Sequence, residues 1–129
     1  MKNEKKEILL VDDESDITAA LNMALVEYGF EVDSYNDPLA ALSNFKPSYY
    51  DLVILDIKMP VMNGFELLRE IKKIDESVKA CFLTALSEFR NYMPHINKVW
   101  PTLDESCIIR KPISNKDLLR DITRIINSC

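Results

Sequence analysis

Short runs of consecutive apolar residues alternate along this chain with longer stretches in which apolar positions recur every three or four residues. Ile8-Leu9-Leu10-Val11 is such a run, stopped by Asp12-Asp13-Glu14, as expected of a strand buried on both faces and closed by a polar loop. Ile17, Leu21, Ala24, Leu25 and Tyr28 then fall at helical spacing, with Gly29 placed as a C-terminal cap. The alternation repeats. Residues 31–35 predict a strand, Asp37-Pro38 supply the N-cap and first position of a helix reaching Phe45, and Leu52-Val53-Ile54-Leu55 predict a strand ending on Asp56. Phe65, Leu68, Ile71 and Ile74 line a third helix, and residues 78–84 and 107–110 predict the fourth and fifth strands. Ser114 and Asp117 have the spacing of a capping box that opens a last helix carrying Leu118, Ile122 and Ile125.

Five strands separated by four or five helices call for a parallel sheet covered on both faces. The predicted fold class is α/β, a doubly wound five-stranded parallel sheet of flavodoxin-like order 2-1-3-4-5. The region between the fourth and fifth strands is extended. Pro94, His95, Trp100 and Pro101 interrupt helical periodicity there, so a short helix at 88–93 followed by a long loop fits it best. With 129 residues, residues 1–129 are expected to form one domain, residues 1–7 being a polar N-terminal tail.

Composition narrows the function. Sixteen Lys and Arg against 21 Asp and Glu give a net charge of -5, which speaks against nucleic acid as a direct partner. No apolar stretch is long enough for a membrane span or a signal-peptide core, so a cytoplasmic location is expected. Cys81, Cys107 and Cys129 form no C-x-x-C pair, and their odd number argues against a disulfide framework; Cys81 and Cys107 are expected in the core. Only Gly29 and Gly64 are present, too few for a dinucleotide-binding fingerprint or a P-loop.

In an open parallel sheet, ligands bind beyond the carboxyl ends of the strands near the switch in strand order. Asp12, Asp13 and Asp56 are all predicted there. Converging carboxylates repel one another unless a cation neutralises them, and Mg²⁺ suits carboxylates that meet phosphate oxygens. Thr84 and Lys111 close the fourth and fifth strands at the same end, supplying a hydroxyl and an ammonium to hold phosphoryl oxygens. Asp56, on the middle strand, is placed as the nucleophile of an acyl phosphate. Taken singly, each Asp would serve equally as a turn former or helix cap; their joint placement on four strand ends is what points to chemistry.

The ordered segments ILLVDDE, LVILDIKMPVMNGFELL, FLTA and IIRKP resemble the receiver domain of two-component response regulators over essentially the whole chain. The resemblance implies that Asp56 accepts phosphate from a sensor histidine kinase or a histidine phosphotransfer protein. It also implies that Asp13 binds Mg²⁺ directly, Asp12 largely through water, and that Asp56 and the backbone carbonyl of Lys58 complete the protein ligands. Thr84 and Lys111 would contact the phosphoryl group, and the Lys111–Pro112 bond would be cis. The implied role is a stand-alone phosphoryl-accepting signalling module that acts by conformational change on a protein effector. Only its own phosphorylation and dephosphorylation would be catalysed, and it would be a monomer or weak dimer.

Two departures from the family pattern bear on output. Ile108 stands where a switching Tyr or Phe is usual, and the chain from Thr84 to Lys111 is longer than is common. Output is therefore expected to use reshaped packing at 97–105, with Trp100 either presented to a partner or capping the sheet edge. His95 reads as a loop residue rather than a phosphohistidine, and Leu86 is expected to slow hydrolysis of the acyl phosphate. Two other functions compete. One is a receiver-like docking module that works without phosphate; the other is a Mg²⁺-dependent phosphatase of the haloacid dehalogenase type, which needs a second Asp where this chain has Lys58.

Overall fold

A computed structural model describes residues 5–85, 91, 94, 107–111 and 114–128. Expectations for Leu86, His95, Trp100, Pro112, Cys129 and residues 97–105 lie outside the described residues, as does most of the helix expected at 88–93. Within them, strands β1 (Glu7–Val11), β2 (Glu31–Tyr35), β3 (Leu52–Asp56), β4 (Ala80–Ala85) and β5 (Ile108–Lys111) alternate with four helices. These are α1 (Ser15–Glu27), α2 (Pro38–Ser43), α3 (Gly64–Ile74) and, after β5, α4 (Asn115–Ser128). The strands form one sheet of order β2-β1-β3-β4-β5, and every pairing is parallel. The predicted fold class and strand order are those observed.

The period-two geometry of a strand sends successive side chains to opposite faces, and here both faces are filled. Leu9, Val11, Val53 and Leu55 pack with Leu67, Leu68 and Ile71 of α3 and Ala41 of α2. Ile8, Leu10, Leu52 and Ile54 pack on the other side with Leu21, Ala24 and Leu25 of α1 and with Leu118, Ile122 and Ile125 of α4. The switch in order lies at β1, whose neighbours β2 and β3 leave it in opposite directions. A crevice is thereby opened at the carboxyl ends of β1 and β3.

Local chemistry sets the element ends. Gly29, at φ 98°, follows α1 in a Schellman arrangement: Phe30 N–H donates to Leu25 O at 3.0 Å and Gly29 N–H to Val26 O at 3.0 Å. Asp37 caps α2 through Leu39 N–H, with Pro38 at the first position. Asn63 and Glu66 form a reciprocal capping box on α3. Ser114 Oγ accepts from Asp117 N–H at 3.2 Å, at the start expected for α4.

The differences are local. α2 stops at Ser43, where Asn44 caps it, short of Phe45. On α3 the buried positions are Gly64, Leu67, Leu68 and Ile71; Phe65 is only partly covered, tilted against Phe82, and Ile74 is 48% exposed because the helix ends there. β4 begins at Ala80 rather than 78, and β5 is displaced by one residue, leaving Cys107 in a turn before it. Cys81 and Cys107 are both buried in the core, as expected; Cys81 is a free thiol and Cys107 is disulfide-bonded. The bond at Cys107 corrects the expectation against disulfides: an odd count excludes complete pairing, not a single bond.

Candidate functional site

Register brings the carboxylates together before any side chain is considered. Val11 is paired with Leu55, so one step further along the two strands Asp12 and Asp56 stand side by side at the sheet end. Asp13 follows on the turn into α1. Asp12, Asp13 and Asp56 each offer a carboxylate oxygen within 4.8 Å of the others. Asp12 and Asp56 are buried, at 0% and 2% exposure, while Asp13 keeps access to solvent. Two buried carboxylates without a compensating cation would be severely penalised.

Part of that compensation comes from Lys111 at the end of β5. Its Nζ lies 2.9 Å from Asp12 Oδ2, 3.3 Å from Asp56 Oδ1 and 3.4 Å from Glu14 Oε1. The approach to Asp12 makes an ion pair without hydrogen-bond alignment, so the buried Asp12 Oδ2 receives no hydrogen bond. Asp12 Oδ1 accepts from Glu14 N–H at 3.0 Å. Burial, reinforced by the charge of Asp12, pushes the Asp56 carboxyl up to about 7 against the opposing pull of Lys111. For Lys111, burial acts downward but is outweighed by the Asp12 and Asp56 carboxylates, which hold the ammonium above its ordinary value.

A cleft of about 470 Å³ opens over this cluster, lined by Asp13, Glu14, Asp56, Lys58, Met59, Pro60 and Lys111. Lys58 is exposed on the loop after β3, two residues beyond Asp56. Thr84 is fully buried at the end of β4, and its hydroxyl donates to the Ala85 carbonyl at 3.3 Å. The structure therefore places Asp13, Asp56, Lys58 and Lys111 around one cleft, with Asp12 buried beneath it against Lys111 and Thr84 on the adjoining strand end, neither of them among the lining residues.

The donor set fits a hard divalent cation such as Mg²⁺: it is all oxygen, two of its three carboxylates are buried, and one buried oxygen lacks a hydrogen bond. Sequence reasoning missed two side chains behind the cluster. Thr18 and Asn36 both meet the backbone carbonyl of Asp12. Main-chain carbonyls are the same at every position, so no residue pattern could have announced the contact.

The model of the response regulator receiver domain matches residues 8–123. The chain is 36% identical over 120 residues to a transcriptional regulatory protein of Haemophilus influenzae, a CpxR homolog, covering 92% of this chain and 49% of that protein. It thus spans about half the length of that relative. A response regulator receiver domain protein from Clostridium thermocellum superposes with a TM-score of 0.75 at 30% identity, over 95% of this chain and 94% of the other. The receiver domain of a sensor histidine kinase from Pseudomonas aeruginosa PAO1, solved with a magnesium ion in its active site cleft, matches with a TM-score of 0.74 at 25% identity, over 96% and 99% of the two chains. Among the described residues no helix is long and apolar enough to cross a membrane. A parallel sheet of this order, an acidic cleft at its switch point and a family match over nearly the whole chain lead to one assignment: the chain belongs to the receiver domains of two-component response regulators.

Proposed function

We propose that this domain accepts a phosphoryl group on Asp56 from a phosphohistidine of a sensor kinase or phosphotransfer protein, and signals to a protein effector by a change of conformation. The observation that carries the reading is the convergence of Asp12, Asp13 and Asp56 within 4.8 Å, with Lys111 3.3 Å from Asp56. Asp13, Asp56 and the Lys58 carbonyl would hold Mg²⁺ directly, and Asp12 through water. When bound, the cation supplies charge neutralisation at the phosphoryl oxygens. Asp56 attacks phosphorus through a carboxylate oxygen; the P–N bond to the donor imidazole breaks, its electron pair leaves with the imidazole, and the new P–O bond makes an aspartyl phosphate. Lys111 is already beside Asp56 and pairs with a phosphoryl oxygen. The Thr84 hydroxyl gives up its bond to the Ala85 carbonyl and turns to another phosphoryl oxygen, which couples the site to the end of β4.

Intact mass after incubation with Mg²⁺ and acetyl phosphate tests this. A gain of one phosphoryl group is expected, absent in Asp56→Asn and without metal. No gain from acetyl phosphate, nor from a phosphorylated histidine phosphotransfer domain, would overturn the reading in favour of a docking module independent of phosphate. One observation favours that second reading. Ile108 is 7% exposed and packed in the same cluster as Leu55 and Phe82, so an aliphatic core residue stands where the family usually keeps a mobile aromatic. Sustained turnover of a small phosphoester would instead indicate a phosphatase.

A further inference from the structure

The peptide bond joining Asp12 to Asp13 is held from α1 and from the residue that follows β2. In the preceding peptide, Asp12 N–H donates to Tyr35 O of β2 at 3.1 Å. The Asp12 carbonyl accepts from Thr18 Oγ1 of α1 at 3.0 Å and from Asn36 Nδ2, just after β2, at 2.8 Å. Asn36 Nδ2 also donates to Thr18 Oγ1 at 2.6 Å, closing a ring of three groups. Thr18 is 5% exposed. Its hydroxyl lies 3.0 Å from the Glu14 carbonyl as well, the familiar bond of a helical Thr back to the preceding turn. The contact to Asp12 is not of that kind, since Asp12 lies outside the helix and directly before a carboxylate of the cluster.

We propose that Thr18 and Asn36 are positioning residues for the cation site: by fixing the plane of the Asp12–Asp13 peptide, they set where the Asp13 carboxylate stands against Asp56. The peptide plane and the Asp13 backbone share a bond, so a carbonyl free to tilt lets Asp13 move away from its partners. Neither side chain touches the cation. Both act through the main chain, as outer partners of metal ligands commonly do. The inference rests on the reading of the acidic cluster as a Mg²⁺ site.

The test is Mg²⁺ titration by calorimetry at a temperature where every variant is folded, with metal-free unfolding measured in parallel. Thr18→Val removes the hydroxyl at nearly constant shape, and Thr18→Ser restores it. Asn36→Ala is the second variant, since it changes a surface side chain and does not depend on the Thr18 variant folding. Thr18→Val and Asn36→Ala are each expected to weaken Mg²⁺ binding about tenfold, Thr18→Ser to recover wild-type affinity, and the double variant to lose less than the product of the two. Faster amide exchange at Asp13 and Glu14 in the metal-free variants is expected alongside. Wild-type affinity in both variants, with Asp13→Asn still abolishing binding, would overturn the positioning role and leave the cation site standing. A lowered metal-free stability with unchanged affinity would assign the ring to structure alone and equally overturn it. Absence of Mg²⁺ binding by the wild type would overturn the cation site and the inference together.

Discussion

Gly64 stands at the first position of α3 against the backbone of Asp56, and a Cβ added there would overlap the Asp56 carbonyl oxygen and come within 3.1 Å of the Ile57 Cα. Its own N–H donates to Ile57 O at 2.9 Å, which draws the helix start this close. The requirement is for space, since the obstructing atoms are main chain and cannot rotate away. Gly64→Ala is expected to cost about 1–3 kcal/mol, the range for forcing an extra carbon into a packed site, and to slow phosphorylation by displacing Asp56. Urea unfolding checks the first part; wild-type stability would show that the helix start yields. Nearby, Val61 holds φ 73° while Met62 N–H donates to Pro60 O at 2.8 Å, a tight γ-turn with a β-branched residue at its centre. Such turns are strained. Together these residues show the loop after Asp56 bent sharply to bring α3 back over the strand end, with the cleft on its outer side.

The helix that begins at this loop depends on its cap. Asn63 Oδ1 accepts from Glu66 N–H at 2.9 Å, and Glu66 Oε1 accepts from Asn63 N–H at 2.9 Å. Asn63→Ala removes the first of these bonds and keeps the second, whose donor is main chain; it is expected to lower stability by about 1 kcal/mol, read as an earlier urea midpoint at unchanged slope, and an unchanged midpoint would mean that the Glu66 half and tertiary packing hold the helix start. Legibility in the sequence follows the same division between local and distant causes. The runs at 8–11 and 52–55 could be read as buried strands because both of their neighbours are strands and both of their faces are covered. Asp12, Asp13, Asp56 and Lys111 could be placed because a strand end is located by where its apolar run stops. The spacing of Ile74 continues the apolar face, but Asp75 leaves the helix and the partner surface ends there. Phe65 matched the helical period while Leu67 took the deeper position. The Val61 turn, the reach of Gly64 to Asp56, and the meeting of Thr18 with Asn36 are set by how main chain approaches main chain, for which composition and period carry no mark.

At the scale of the molecule, a net charge of -5 includes an acidic cluster that folding forces out of water. Asp56 titrates near 3.8 when exposed and near 7 in the metal-free fold, raised first by burial and then by Asp12. Between those values the folded state binds a proton that the unfolded state has released, so stability falls as pH rises through this window and levels off above it. Asp56→Asn removes the titrating group while keeping its shape, and the ion pair of Lys111 with Asp12 remains. In metal-free buffer the variant's lead over the wild type is therefore expected to widen from pH 5 to pH 8, where the variant melts several degrees higher. Mg²⁺ at pH 8 should close that gap by stabilising the wild type, because a cation bound only to the folded state adds to its stability. Thermal unfolding at the two pH values, with and without Mg²⁺, reads all four conditions. A variant no more stable than the wild type at pH 8 would mean that Lys111 already neutralises the cluster. The acidic site would then impose no charge strain for metal or phosphoryl binding to relieve.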